Sequence, residues 1–285
     1  MRKIAVFTTF HKNGYINYGK RMIKSFDKHW PEDINLYVYC EDVQPTENSD
    51  RIIYKDLHES CPALVNFKKR HKNNPLAHGQ DAAVIKQLHK TGQASSFSPN
   101  KQFKYLAIRF SHKVYAMYHA MNTIDADVII WLDADSYTFE KIPMEFLQKA
   151  IGKLPVYCTY IGRPGNKGKS ARKWSECGFM AYNINHPEHK KFHNRFISMY
   201  NEDTLFNWQE WHDSWLFDRV REYFEYSGME NQDLNLTGNK RHPFVNTILG
   251  KYIDHLKGDH RKKEGKSNIS KKDVIVKHTN KYWKK

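Results

Sequence analysis

The run Trp131-Leu132-Asp133-Ala134-Asp135-Ser136 sets two carboxylates two positions apart, directly after the apolar stretch Asp127–Leu132. Such a stretch reads as a strand buried on both faces. Ligands of open α/β sheets bind at the carboxyl ends of strands, so both aspartates can turn into one crevice. Two close carboxylates repel unless a cation sits between them. A hard divalent ion carried by carboxylates and a substrate diphosphate suits that position. A second cluster lies 120 residues on, His255-Leu256-Lys257-Gly258-Asp259-His260-Arg261-Lys262. Neutral imidazole completes a manganese site. Gly258 allows a phosphate close to the backbone, and Lys257, Arg261 and Lys262 can neutralise phosphate oxygens.

The elements that must position these groups follow from periodicity. Lys3–Phe10 is a β-rich apolar run, Tyr18–His29 carries Met22, Ile23 and Phe26 on one helical face, and Ile34–Cys40 is a second strand. This β-α-β spacing predicts a parallel sheet with crossover helices. Arg51–Tyr54 is a short third strand. Residues 56–102 are polar and read as an inserted helical pair or a mobile lid. Phe103–Met121 is a helix bearing Arg109 and Lys113. Pro143–Ala150 and Leu154–Ile161 follow as helix and strand, and Phe179–Ile184 as a further strand. Glu188–Tyr200 and Trp211–Tyr223 read as helices, and Val274–Val276 as a last strand.

The two motifs together resemble the nucleotide-sugar-dependent glycosyltransferases of the GT-A fold, nearest in arrangement to the glycogenin and lipopolysaccharide galactosyltransferase group. The resemblance implies an α/β, Rossmann-like, mixed and mostly parallel sheet flanked by helices. It implies a single domain over residues 1–262 and a basic extension over 263–285. It implies Mn²⁺ (or Mg²⁺) held by Asp133, Asp135 and His255. Asp133, Lys257, Gly258, Arg261 and Lys262 would face the donor phosphates. Arg261 stands where the family has Lys, and the family's following Pro-Trp is absent. Thr8, Thr9 and Phe10 fall where these enzymes hold the nucleoside, and Arg109 and Lys113 where a basic group faces the donor. Glu176 and Asp213 match acidic positions near the acceptor and are the catalytic candidates. An acid at the start of a helix, as Asp213 is, also satisfies the macrodipole. Gly178 would let a sugar approach the backbone.

Composition bounds the reading. The 285 residues hold 46 Lys/Arg against 31 Asp/Glu, a net charge of +15, with 40% hydrophobic residues. That supports a packed core. No apolar run approaches the roughly 20 residues of a membrane span. The N-terminus reads as a strand and not a signal peptide, and four cysteines without a CxxC pair point to reduced thiols in the cytoplasm. Gly162–Ser170 ends in GKS, but Arg163 stands where a P-loop needs glycine, so it reads as a mobile basic loop. His186, His189 and His193 lack an HExxH pattern and read as a helix surface.

The expected activity is transfer of a hexosyl or pentosyl group from a nucleoside diphosphate sugar to a hydroxyl of a saccharide or glycolipid. Residues 251–285 carry twelve Lys/Arg against four Asp/Glu. This surplus points to anionic partners, and Tyr282 and Trp283 between lysines suit stacking on a base. The alternatives are therefore transfer to hydroxymethylated bases in DNA, or nucleic-acid binding without catalysis. A nucleotidyltransferase would need a Gly-rich loop after the first strand, where only Gly14 occurs.

Overall fold

The computed structural model describes residues 1–81, 84–85, 87, 90–91, 99–163, 174–235, 242–267 and 279–283. The chain divides into a sheet unit (1–56, 124–186 and 230–285) and a helical unit (57–123 and 187–229).

In the sheet unit, β1 (Ile4–His11), β2 (Asn35–Glu41), β3 (Ile52–Asp56), β4 (Val128–Leu132), β6 (Val156–Arg163), β7 (Trp174–Asn183) and β8 (Glu230–Asp233) form one sheet in the order β3-β2-β1-β4-β7-β6-β8. β7 alone runs against the others. β5 (Ser136–Thr138) pairs antiparallel with β9 (Ile253–His255) in a separate ribbon. This is a mixed, mostly parallel α/β sheet flanked by helices, the architecture that the resemblance implies. Val128 to Leu132 are buried throughout, as a strand between two neighbours requires. Phe7 and Trp131 meet edge to face at 5.1 Å. The helix Lys20–His29 presents Met22, Ile23 and Phe26 to the core, and Trp30 stacks on Phe26 at 4.9 Å.

Two boundaries differ from expectation. The strand expected at Phe179 begins at Trp174, because ladder pairing with β6 continues through the polar residues Ser175 and Glu176. β9 carries no periodic signal in three residues, and the pairing Ser136↔His255 reveals the strand. The expected strand Val274–Val276 and most of the loop after Gly162 lie outside the described residues.

The C-terminal aromatic pair is used internally. Tyr282 lies flat on Phe139 at 3.9 Å, and Trp283 Nε1 donates to the Gly250 carbonyl at 2.6 Å. Tyr282 Oη and the Ser267 amide both donate to Asp254 Oδ2 at 2.8 Å. Asp254 has no exposure at all, so these donors replace its water. The expected role of these rings in stacking on a base gives way to a clamp on β9.

In the helical unit, Pro62–Arg70, Ala107–Thr123, His189–Asn201 and Asp213–Tyr226 pack around Phe67, Tyr115, Phe192 and Tyr200. The stretch after residue 56 opens as helix (Leu57–Ser60 and Pro62–Arg70). Arg70 and His71 both hold Asp203, each at 2.7 Å. His189 and His193 are buried rather than on a helix surface, their rings 4.9 Å apart. All four cysteines are buried without a disulfide; burial pushes the Cys40 and Cys61 thiols up to about 12.

The clamp is testable. Tyr282→Phe removes one donor from a buried carboxylate, which costs about 1–3 kcal/mol. A clearly lowered melting temperature is expected, and an unchanged one would show that the C-terminal aromatics do not hold β9.

Candidate active site

Chain direction gathers the site. β4 ends at Leu132, and the Asp133 amide still donates to the Gly178 carbonyl at 2.9 Å. Because β7 is antiparallel to β4, its first half lies beside the end of β4, which brings Glu176 to Asp133. The β5–β9 ribbon sets His255 opposite Ser136, one residue past Asp135. The Leu256 amide donates to the Asp135 carbonyl at 2.9 Å.

His255 sits among three carboxylates. Its Nε2 lies 3.0 Å from Asp135 Oδ1 and 3.4 Å from Asp133 Oδ2, and its Nδ1 lies 3.8 Å from Glu176 Oε1. Gly178 makes room for the ring: a Cβ there would stand 2.8 Å from His255 Cε1. The expected sugar approach at Gly178 is thus taken by the imidazole, which Phe244 covers at 4.9 Å. Trp131 Nε1 fixes Asp133 Oδ1 at 2.7 Å.

Cations close the cluster. Lys262 Nζ lies 3.0 Å from Asp135 Oδ2. Lys257 Nζ donates to both Glu176 oxygens at 3.0 Å, and Arg163 pairs with the same carboxylate. Glu176 is 5% exposed and His255 4%. Burial works against the charge on each, and the partners win. Lys257, Arg163 and His255 draw Glu176 down to about 2. Against its own burial, His255 is raised to about 10 by Asp135 and Asp133. Asp135 is likewise held below the usual carboxylate range by His255 and Lys262, despite burial.

One ligand atom each from Asp133, Glu176 and His255 lie within 4.8 Å of one another. Hard carboxylate oxygens with one imidazole suit Mn²⁺ or Mg²⁺ more than a thiophilic metal. The proton that the carboxylates hold on His255 marks where a divalent ion would take its place. The site therefore fits such an ion. The sequence set Asp133, Asp135 and His255 does converge, and Glu176, expected near the acceptor, joins it. Arg163 was not anticipated as a site residue; its signal, a lone cation at the last position of a strand, is too common to single out.

The other candidates have different settings. Gly258 holds φ +92° and ψ 155°, a conformation that favours glycine. Arg261 lies on the short helix Asp259–Glu264. Thr9 Oγ1 donates to the Tyr39 carbonyl at 2.8 Å. Phe10 packs in the core against Tyr15, and the Thr8 hydroxyl is buried without a hydrogen-bond partner among the described residues. In the helical unit Lys113 Nζ pairs with Asp213 Oδ2 at 2.7 Å, both largely buried. Arg109 is exposed on the same helix as Lys113.

No family model matches the chain, and no curated protein matches it. Solved structures similar to it include two glycosyltransferases. One is the WbbM bifunctional glycosyltransferase (12% identity, TM-score 0.48), where the match covers 90% of this chain and 46% of the other. This chain therefore spans less than half of that protein. The other is mouse xyloside xylosyltransferase 1 (11% identity, TM-score 0.49), with 88% and 97% covered. No helix among the described residues is long and apolar enough to cross a membrane.

The charged imidazole has a pH signature in metal-free protein. The folded pKa of about 10 exceeds the unfolded value of 6.5. The stabilisation is therefore complete below pH 6.5 and is lost as pH rises towards 10. In EDTA, thermal stability should fall across that window, and His255→Gln should flatten the fall. An equally steep decline in the variant would exclude His255 as its source.

Proposed function

We propose that the protein is a metal-dependent glycosyltransferase that moves a sugar from a nucleoside diphosphate to an acceptor hydroxyl. The observation that carries this reading is the convergence of Asp133, Asp135, Glu176 and His255 at the strand ends, bordered by Lys257, Lys262 and Arg163. When bound, a divalent ion there would neutralise the diphosphate as it departs.

The chain's own groups do the rest. Asp133 and His255 would hold the ion, with Asp135 beside it, facing the same imidazole nitrogen. Lys257, Lys262 and Arg261 would bind phosphate oxygens, where negative charge grows as the glycosyl C1–O bond to the diphosphate breaks and its electron pair goes to phosphate. The acceptor oxygen forms the new bond to C1. Its proton passes to the departing diphosphate. Glu176 is too acidic to serve well as a base at neutral pH, but its fixed negative charge suits an oxocarbenium-like sugar. That favours a retaining course over an inverting one. The end of β1, with Thr8 and Thr9, would take the nucleoside. Asp213, the candidate base of an inverting course, is engaged by Lys113.

The test is metal-dependent release of nucleoside diphosphate from a panel of nucleotide sugars. EDTA should abolish it. Asp133→Ala should lower kcat by at least about a hundredfold with the fold retained. Glu176→Gln should lower kcat with donor KM little changed, the pattern of a group that acts on the transition state. Undiminished release in EDTA would end the proposal.

A further inference from the structure

Beside the carboxylate site lies a groove of about 450 Å³ lined by Tyr18, Lys20, Arg21, Lys24, Lys28 and His29, among others, with no carboxylate in its wall. Lys20, Lys24 and Lys28 recur every fourth residue of the helix Lys20–His29, which stacks them in one ridge with steps of roughly 6 Å. Like charges at this spacing destabilise a helix. The helix's one acid, Asp27, does not relieve them, because Arg51 at 3.0 Å and Ser49 at 2.8 Å hold it. Lys20 has Glu47 at 3.5 Å. Lys24 and Lys28 are exposed and have no ion-pair partner among the described residues. His29 Nδ1 is buried without a hydrogen-bond partner among the described residues.

The groove is continuous with the site. The Lys262 ammonium that holds Asp135 lies 4.7 Å above the Tyr18 ring, and Arg21 Nη1 donates to the Lys262 carbonyl at 3.2 Å. A ligand lying along the ridge would reach the edge of the carboxylate cluster.

We propose that this groove holds the phosphodiester backbone of a nucleic acid, which presents the acceptor hydroxyl to the carboxylate site. The assignment of an acceptor rests on the sugar-transfer reading above. A single phosphate is met by two or three cations; a ridge of three lysines flanked by Arg21 suits phosphates repeated along a strand. An anionic bilayer is the poorer match. It would dock on a convex face edged with apolar side chains, whereas these cations line a concavity whose one aliphatic side chain is Ile16. The phosphate contacts read no sequence, and they make affinity depend steeply on salt.

The experiment uses the full chain with Lys24→Gln and Lys28→Gln combined. Both residues are exposed and stand apart from the catalytic cluster. Three quantities are read: binding to a short fluorescein-labelled DNA duplex at rising salt, flotation with phosphatidylglycerol vesicles, and Mn²⁺-dependent consumption of the nucleotide sugar without acceptor. The native protein should bind the duplex. The variant should bind more weakly, its slope of log affinity against log salt reduced by about two, one for each lost phosphate contact. Donor consumption should be unchanged in the variant. Absent duplex binding, an unaltered slope in the variant, or retention by vesicles alone would each overturn the groove's assignment. Duplex binding without any Mn²⁺-dependent donor consumption would instead leave the groove standing as a nucleic-acid site and overturn the transfer reading, and with it the acceptor role.

Discussion

The structure turns on keeping three carboxylates charged at the end of a buried strand. Glu176 is nearly sealed from water and Asp135 largely so, and an unpaired buried carboxylate would protonate or unfold its surroundings. The chain answers with an imidazole between the carboxylates and with Lys257, Lys262 and Arg163 around them. The resulting charge-assisted hydrogen bonds fix the carboxylate directions.

Much of the sheet unit serves that arrangement. β7 must run backwards for Glu176 to reach the end of β4. Residue 178 must be glycine for the His255 ring to lie against it. β9 must stay paired with β5, and the clamp of Ser267, Tyr282 and Trp283 ties β9 and its neighbours together through Asp254 and Gly250. The C-terminal aromatics therefore belong to the scaffold behind His255. The cations left over, on the Lys20–His29 helix, are the ones that face outward in a row.

The legible parts of the sequence were those governed by local pattern. The apolar run before Asp133, the β-α-β opening and the long helices carry their periodicity in neighbouring residues. The meeting of Asp133 and Asp135 with His255 was anticipated through the resemblance of the two motifs, not through local pattern. The place of Glu176 was not, since it depends on the direction of β7, which Ser175-Glu176-Cys177-Gly178 does not encode. An isolated glycine in a strand does signal close approach of another group, but not that the group is a histidine 77 residues away. The burial of His189 and His193 was hidden because polar residues on a helix read as outward-facing until the packed face is known.

The central claim is that Asp133 and His255 share a divalent cation at the end of β4. Manganese anomalous diffraction from crystals grown with Mn²⁺ and a nucleoside diphosphate tests it directly. The account predicts one strong peak in ligand contact with Asp133 Oδ2 and His255 Nε2, with diphosphate oxygens completing the shell and Lys262 turned towards them. A peak elsewhere, or nucleotide bound with His255 still wedged between the carboxylates and no metal, would contradict it.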